Sequence, residues 1–309
     1  MRLLLASLLL VGAPPPAAVP PSLAATGQSQ DVRFGRDSSD RMTVAVHVGD
    51  NGPYRFLVDT GAERTVISRQ LAEHLGLAAG VRTRMQSVAG SSDTATVDIP
   101  ALHVSAREFA VIGAPALESD NIGADGLLGV DSLAGSQVMF DFRAGRMAIG
   151  PSTSGNLKDE PGTIVVEARR RHGRLMFTHA LVEGRGAMVV VDTGSQVSIG
   201  NMKLRRRLLG DRPIGTTAVL RSVAGEALIA EIHAVKALDI DGITLKNLEI
   251  AFIDSQIFRQ LDVDDRPALL LGMNAMRAFD KVSIDFAARR VRFVLPGTGM
   301  ADGPRLASR

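Results

Sequence analysis

The chain of 309 residues has no cysteine and no tryptophan, and its one tyrosine is Tyr54. Without cysteine there is no disulfide framework, no lipid-modified cysteine and no zinc site built on thiolates. An aromatic content of 4% leaves little for stacking sugars or nucleobases. Neither sign of charge prevails. The 35 basic and 33 acidic residues are scattered and give a formal net charge of +2, which points to no nucleic-acid partner. The arginine runs Arg169 to Arg171 and Arg205 to Arg207 read as solvated surface, since no aromatics interleave them. His47, His74, His103, His172, His179 and His233 lack metal-ligand spacing, and no nucleophile elbow, phosphate loop or dinucleotide fingerprint occurs. No metal or cofactor is expected.

Long apolar runs are also missing. The opening "MRLLLASLLLVGAPPPAAVPPSLAAT" has a basic residue, an apolar stretch from Leu3 to about Ala13, and small residues suited to cleavage after Ala24 or Ala25. The stretch falls short of the roughly 20 apolar residues that span a bilayer. It reads as a secretory signal peptide over residues 1–25, so the mature chain is expected to be exported, periplasmic or secreted, with no stable membrane insertion.

What the chain has in quantity is repetition. "VDTG" at 58–61 returns at 191–194, "SVAG" at 87–90 returns at 222–225, and "LLG" at 127–129 returns at 270–272. "VMFDFRAGRMAI" from Val138 is echoed by "VSIDFAARRVRF" from Val282. The offsets run 133, 135, 143 and 144, so two copies of one unit follow each other with small insertions. The copies occupy residues 41–150 and 163–296. A linker rich in Pro, Gly and Ser covers 151–162, and flexible segments are expected at 26–40 and 297–309.

Short apolar or alternating runs fill both copies: "MTVAVHV", "YRFLVDT", "TATVDI", "HVSAREFAVIG" and "QVMFDF", then "GTIVVEA", "AMVVVDT", "ALIAEIHAV", "ITLKNLEIAFI" and "KVSIDF". They predict an all-β fold with a few short helices, at "RQLAEHLGL", "MKLRRRLLG" and "NAMRAF".

Each VDTG follows a run expected to be a strand buried on both faces, with Gly61 and Gly194 supplying a permissive φ for a tight turn. The glycine N–H can donate to the aspartate, and the threonine hydroxyl can fix the turn to a neighbour. One oriented carboxylate is a poor catalyst of amide hydrolysis. Two brought together by twofold symmetry cannot both ionise and so share a proton, giving a base and an acid side by side.

Two Asp-Thr-Gly turns, each followed about seventy to eighty residues later by an apolar-apolar-Gly element, resemble the pepsin and retropepsin superfamily of aspartic proteases. The resemblance spans residues 41 to 295 and is that of a single-chain, two-lobed bacterial type, like a fused retropepsin dimer. It implies two pseudo-twofold lobes and catalysis by Asp59 and Asp192. It also implies support from Thr60, Gly61, Ala62, Thr193, Gly194 and Ser195, and Leu127–Gly129 and Leu270–Gly272 packed beneath the turns. Val88, Ala89, Gly90, Val223, Ala224 and Gly225 then lie near the tips of two substrate-covering flaps. Pepsin-type enzymes carry a tyrosine on a single flap, whereas Tyr54 precedes the first turn and both hairpins are small and Gly-containing.

After the glycines the turns differ, Ala62 in one and Ser195 in the other. A Ser195 hydroxyl donating to Asp192 would make Asp192 the more readily ionised partner. The resemblance implies a monomeric endopeptidase that acts on peptide or protein substrates without metal or covalent intermediate. A binding or scaffold protein that keeps the fold without activity is the alternative, and intact Asp-Thr-Gly triplets in both copies weigh against it. A glycosidase fits the aromatic content poorly.

Overall fold

A computed structural model describes residues 42–105, 107–152, 162–212 and 215–297. The expected signal peptide, the 26–40 segment, most of the linker and the tail beyond Gly297 lie outside the described residues. Each half closes a barrel of six strands. In the first half the order around the ring is Thr96–Val104, Arg107–Leu117, Val66–Ser68, Gly126–Leu128, Asn51–Val58 and Met42–Val48, which pairs back onto Thr96–Val104. In the second it is Ala227–Ile240, Ile243–Ile253, Ser198–Asn201, Ala268–Leu271, Arg185–Val191 and Arg174–Val182, which returns to Ala227–Ile240. The two rings have one topology, and closure leaves neither with an open edge.

In both, the strand carrying the LLG leucines slots between the two arms of the Asp-Thr-Gly turn. It runs parallel to the arm that enters the turn and antiparallel to the arm that leaves it. The entering arms end in Phe56, Leu57, Val58 and in Val189, Val190, Val191, all buried. That is why these runs are continuously apolar instead of alternating.

A third sheet joins the halves. Its described strands lie in the order Thr163–Glu167, Arg290–Val294, Lys281–Asp285, Ser136–Asp141 and Arg146–Pro151. At its centre the "VMFD" strand pairs antiparallel with its own echo "VSID", and Met139 faces Ser283, its equivalent at the repeat offset of 144. The pseudo-twofold axis therefore passes between these two residues. Phe140, Phe286 and Phe293 are fully buried at this shared layer, Phe177 of the second barrel packs 6.2 Å from Phe293, and the Phe279 and Phe293 ring centroids are 4.6 Å apart. Each such side chain is worth about 1.5–3 kcal/mol on burial.

Helices are few and short, as the sequence predicts. Ser68 caps Arg69–His74 by accepting from the Leu71 N–H, and Asn201 caps Met202–Leu209 by accepting from Leu204. The first stops before the predicted "LGL", where Gly76 takes a positive φ. Met273–Met276 answers to "NAMRAF", while the turns Ser119–Ile122, Val130–Leu133 and Ile257–Gln260 carry no such signal. The expected single strand "HVSAREFAVIG" is instead a hairpin. The chain reverses after Val104 through Ser105 (φ 55°), and His103 pairs with Glu108.

Candidate active site

The two Asp-Thr-Gly turns meet where the barrels face each other, and backbone carbonyls of the entering strands set their grip. Thr60 Oγ1 donates to the Val191 carbonyl at 3.0 Å and Thr193 Oγ1 donates to the Val58 carbonyl at 2.8 Å. Each hydroxyl also accepts the other threonine's N–H, at 3.1 and 3.0 Å. Four buried bonds thus lock each turn to the opposite half, each contributing about 0.5–1.5 kcal/mol net.

From below, Asp59 N–H donates to Leu128 O and Asp192 N–H to Leu271 O, both at 3.0 Å. Val130 N–H reaches Ala62 O at 2.9 Å and Met273 N–H reaches Ser195 O at 2.8 Å. The glycines that end LLG are dictated by this contact: a Cβ on Gly129 would come within 2.5 Å of the Arg64 backbone, and one on Gly272 within 2.5 Å of Val197 O. The aspartates are thus held rigidly at the ends of buried strands.

Both carboxylates are fully buried. Asp59 Oδ1 accepts the Gly61 and Ala62 N–H groups at 2.8 and 2.9 Å, and Asp192 Oδ1 accepts the Gly194 N–H at 3.0 Å. The turns approach so closely that a Cβ on Gly194 would collide with the Asp59 carboxyl group. This explains the glycine better than backbone freedom does, because neither Gly61 nor Gly194 has a positive φ. At Gly194 the expectation of a permissive φ is corrected to one of close approach, and at Gly61 the permissive φ is not used.

Ser195 also departs from expectation. Its hydroxyl donates to the Val197 carbonyl at 2.7 Å, so it reaches Asp192 only through its N–H. Burial pushes Asp192 well above the usual carboxylate range and the negative charge of Asp59 pushes it further, against the Gly194 N–H, Arg174 and the Ser195 N–H. Burial and the neighbouring charge thus favour the protonated form of Asp192, the opposite direction from the one a Ser195 hydroxyl bond would give.

Two hairpins carry the expected flap residues. Thr83–Ser87 and Gly90–Thr94 bring Val88 and Ala89 to the first tip; Thr217–Arg221 and the start of Ala227–Ile240 bring Val223, Ala224 and Gly225 to the second. The tips cross over. Val88, from the first half, packs in an apolar cluster otherwise made by the second half, with Val190, Val197, Leu220 and Phe258. Val223 packs in one made by the first half, with Leu57, Val66, Ile122 and Leu127. Ser255 Oγ donates to the Val88 carbonyl at 2.5 Å, and Ser87 Oγ donates across to Glu226 Oε2 at 3.0 Å. Glu226 Oε2 also bonds Ser222 of its own hairpin.

Sequence reasoning overlooked Arg174, fully buried at the head of Arg174–Val182, whose Nε donates to the Gly61 carbonyl at 2.7 Å. The trace in the sequence is the repeat itself, since at the offset of 133 Arg174 has Arg41 as its counterpart, each directly before an apolar run.

Two closed barrels around a pseudo-twofold axis, with paired Asp-Thr-Gly turns between them, define a bilobal retropepsin-like protein. The family model for aspartyl protease matches residues 44–132 and 178–275, more than half of the chain. The chain belongs to that family. Among solved structures it is similar to a retropepsin-like aspartic protease from Rickettsia conorii, at 21% identity over 43% of this chain and 90% of that one, with a TM-score of 0.31. No curated protein matches the chain.

Proposed function

We propose that the protein is an aspartic-type endopeptidase that hydrolyses bonds within extended peptide segments, with Asp59 and Asp192 as its catalytic pair. The observation that carries this reading is the reciprocal Thr60–Thr193 grip, which places two fully buried aspartates on abutting turns. Ionised Asp59 takes a proton from water as its oxygen attacks the scissile carbonyl carbon, and Asp192 gives its proton to the carbonyl oxygen. As the C–N bond breaks, Asp59 passes its proton to the leaving nitrogen and Asp192 retakes one from the diol. No side chain becomes covalently attached. The flap residues Val88, Ala89, Gly90, Val223, Ala224 and Gly225 lie over the bound peptide in this scheme. The expected signal peptide would favour exported or envelope polypeptides as substrates, and the intramolecular pairing of halves favours a monomer. Among the described residues no helix is long and apolar enough to cross a membrane.

The test is a peptide library incubated from acid to neutral pH with wild type, Asp59→Asn and Asp192→Asn. Each substitution is expected to lower cleavage by about 10²–10⁴-fold, the range of one lost acid or base. If both variants cleave like wild type, the pair is not catalytic. If wild type binds peptides and never cleaves them, the chain is a binding protein on a protease fold.

A further inference from the structure

A buried guanidinium needs a reason. It does not release its proton in a protein, and a buried cation without anions nearby costs several kcal/mol. Arg174 belongs to the second half, yet its side chain reaches the turn of the first, where Nε meets the Gly61 carbonyl at 2.7 Å. That carbonyl and the Ala62 N–H are two ends of one peptide unit, and the Ala62 N–H donates to Asp59 Oδ1 at 2.9 Å. Cation, peptide dipole and carboxylate thus form one chain of bonds, in which each bond polarises the next.

The ionisable groups facing Arg174 are Glu63 and Asp59 from the first turn and Asp192 from the second. From its own side, Nη1 donates to the His172 carbonyl at 3.4 Å, while the His172 ring turns away to Asp262 at 3.1 Å. Burial lowers the Arg174 pKa below the usual guanidinium range, and the three acids raise it again. The two turns are unequal here too: four residues after each aspartate stand Glu63 in one and Gln196 in the other. A charge beyond the aspartates themselves therefore breaks the twofold symmetry of the pair.

We propose that Arg174 is a positioning residue that assigns the resting negative charge of the pair to Asp59, by backing the Ala62 donor and serving as internal counter-cation. The inference rests on the Asp59–Asp192 pair of the proposed function. It gives the symmetric turns fixed roles, Asp59 as base and Asp192 as acid, before any substrate binds.

Arg174→Met, Arg174→Lys and Glu63→Gln test it. Each is assayed for kcat/KM against pH and titrated by NMR with ¹³C-carboxyl-labelled aspartate, the two signals being assigned from Asp59→Asn and Asp192→Asn. In wild type the Asp59 signal is expected to carry the lower step. In Arg174→Met that step divides between both signals, and the acidic limb of kcat/KM moves up by about one pH unit. Lysine restores both readouts in part, and Glu63→Gln, which frees Arg174 from a competing anion, moves the limb the other way. A purely structural arginine would lower the rate and the melting temperature while leaving limbs and signals in place, and that result overturns the assignment. If the Met variant does not fold, unmoved titrations in the Lys and Glu63→Gln variants overturn it equally. If wild type cleaves no peptide, the proposed function fails while the NMR titration still decides the role of Arg174.

Discussion

Thr60 and Thr193 fasten the two halves at the site, because each hydroxyl both donates and accepts across the pseudo-twofold axis. Valine has nearly the same shape and no hydroxyl, so Thr60→Val or Thr193→Val leaves a buried N–H and a buried C=O in the other half without partners. Each orphaned group costs about 1–3 kcal/mol. Urea unfolding is expected to show a loss of this order for each valine variant and little loss for Thr→Ser, which keeps the hydroxyl. Equal losses for valine and serine would mean that the methyl group, not the grip, is what matters. Ser195→Ala is expected to leave the acidic limb of the pH–rate profile where it is, since the hydroxyl serves the Val197 carbonyl. A residue's type was legible from the repeat in these cases, but its direction was not. The sequence places Ser195 next to the Asp-Thr-Gly triplet, and only the fold decides which acceptor its hydroxyl meets. Arg174 too was marked by the repeat, through Arg41 at the offset of 133, but its partner was not legible: Gly61 lies 113 positions away and presents only a carbonyl.

At the level of elements, the repeat made most of the architecture readable, because apolar runs such as "MTVAVHV" and "ITLKNLEIAFI" coincide with the strands Met42–Val48 and Ile243–Ile253. What period and composition do not encode is which element packs on which. Nothing local in "SVAG" says that Val88 and Val223 exchange places between halves. The exchange ties each hairpin tip to the opposite half, and under the proposed function a peptide reaches the aspartates only when both tips leave their clusters. Burying each valine stabilises the shut state by about 1.5–3 kcal/mol, so Val88→Ala and Val223→Ala are expected to raise amide exchange at the hairpin tips. Glu226 ties the tips together through Ser87 and Ser222. Glu226→Ala is therefore expected to speed exchange at residues 87–90 as well as at 222–225. Faster exchange in the second hairpin alone would show that the tips open independently.

Across the whole molecule, the central sheet and the threonine grip fasten two barrels so that two carboxylates are buried against one another, and this arrangement has a stability cost with a defined pH dependence. Burial and Asp59 raise Asp192 above the range it has in the unfolded chain, near 3.9. A raised acid binds its proton more tightly when folded, so its favourable contribution is complete below the unfolded value and is lost as pH climbs through the folded one. Asparagine at 192 fills the same space, can accept from the Gly194 N–H and never ionises. Asp192→Asn is therefore expected to melt above wild type at neutral pH, by about 2–4 °C for each kcal/mol of relieved repulsion and burial, even as it loses activity. Below the unfolded carboxylate value the two melting curves are expected to converge, since both side chains are then neutral. Thermal melts of both proteins over a pH series read this directly. A variant less stable than wild type by the same margin at every pH would mean that the second aspartate is held by its shape and hydrogen bonds, with no electrostatic strain stored between the halves.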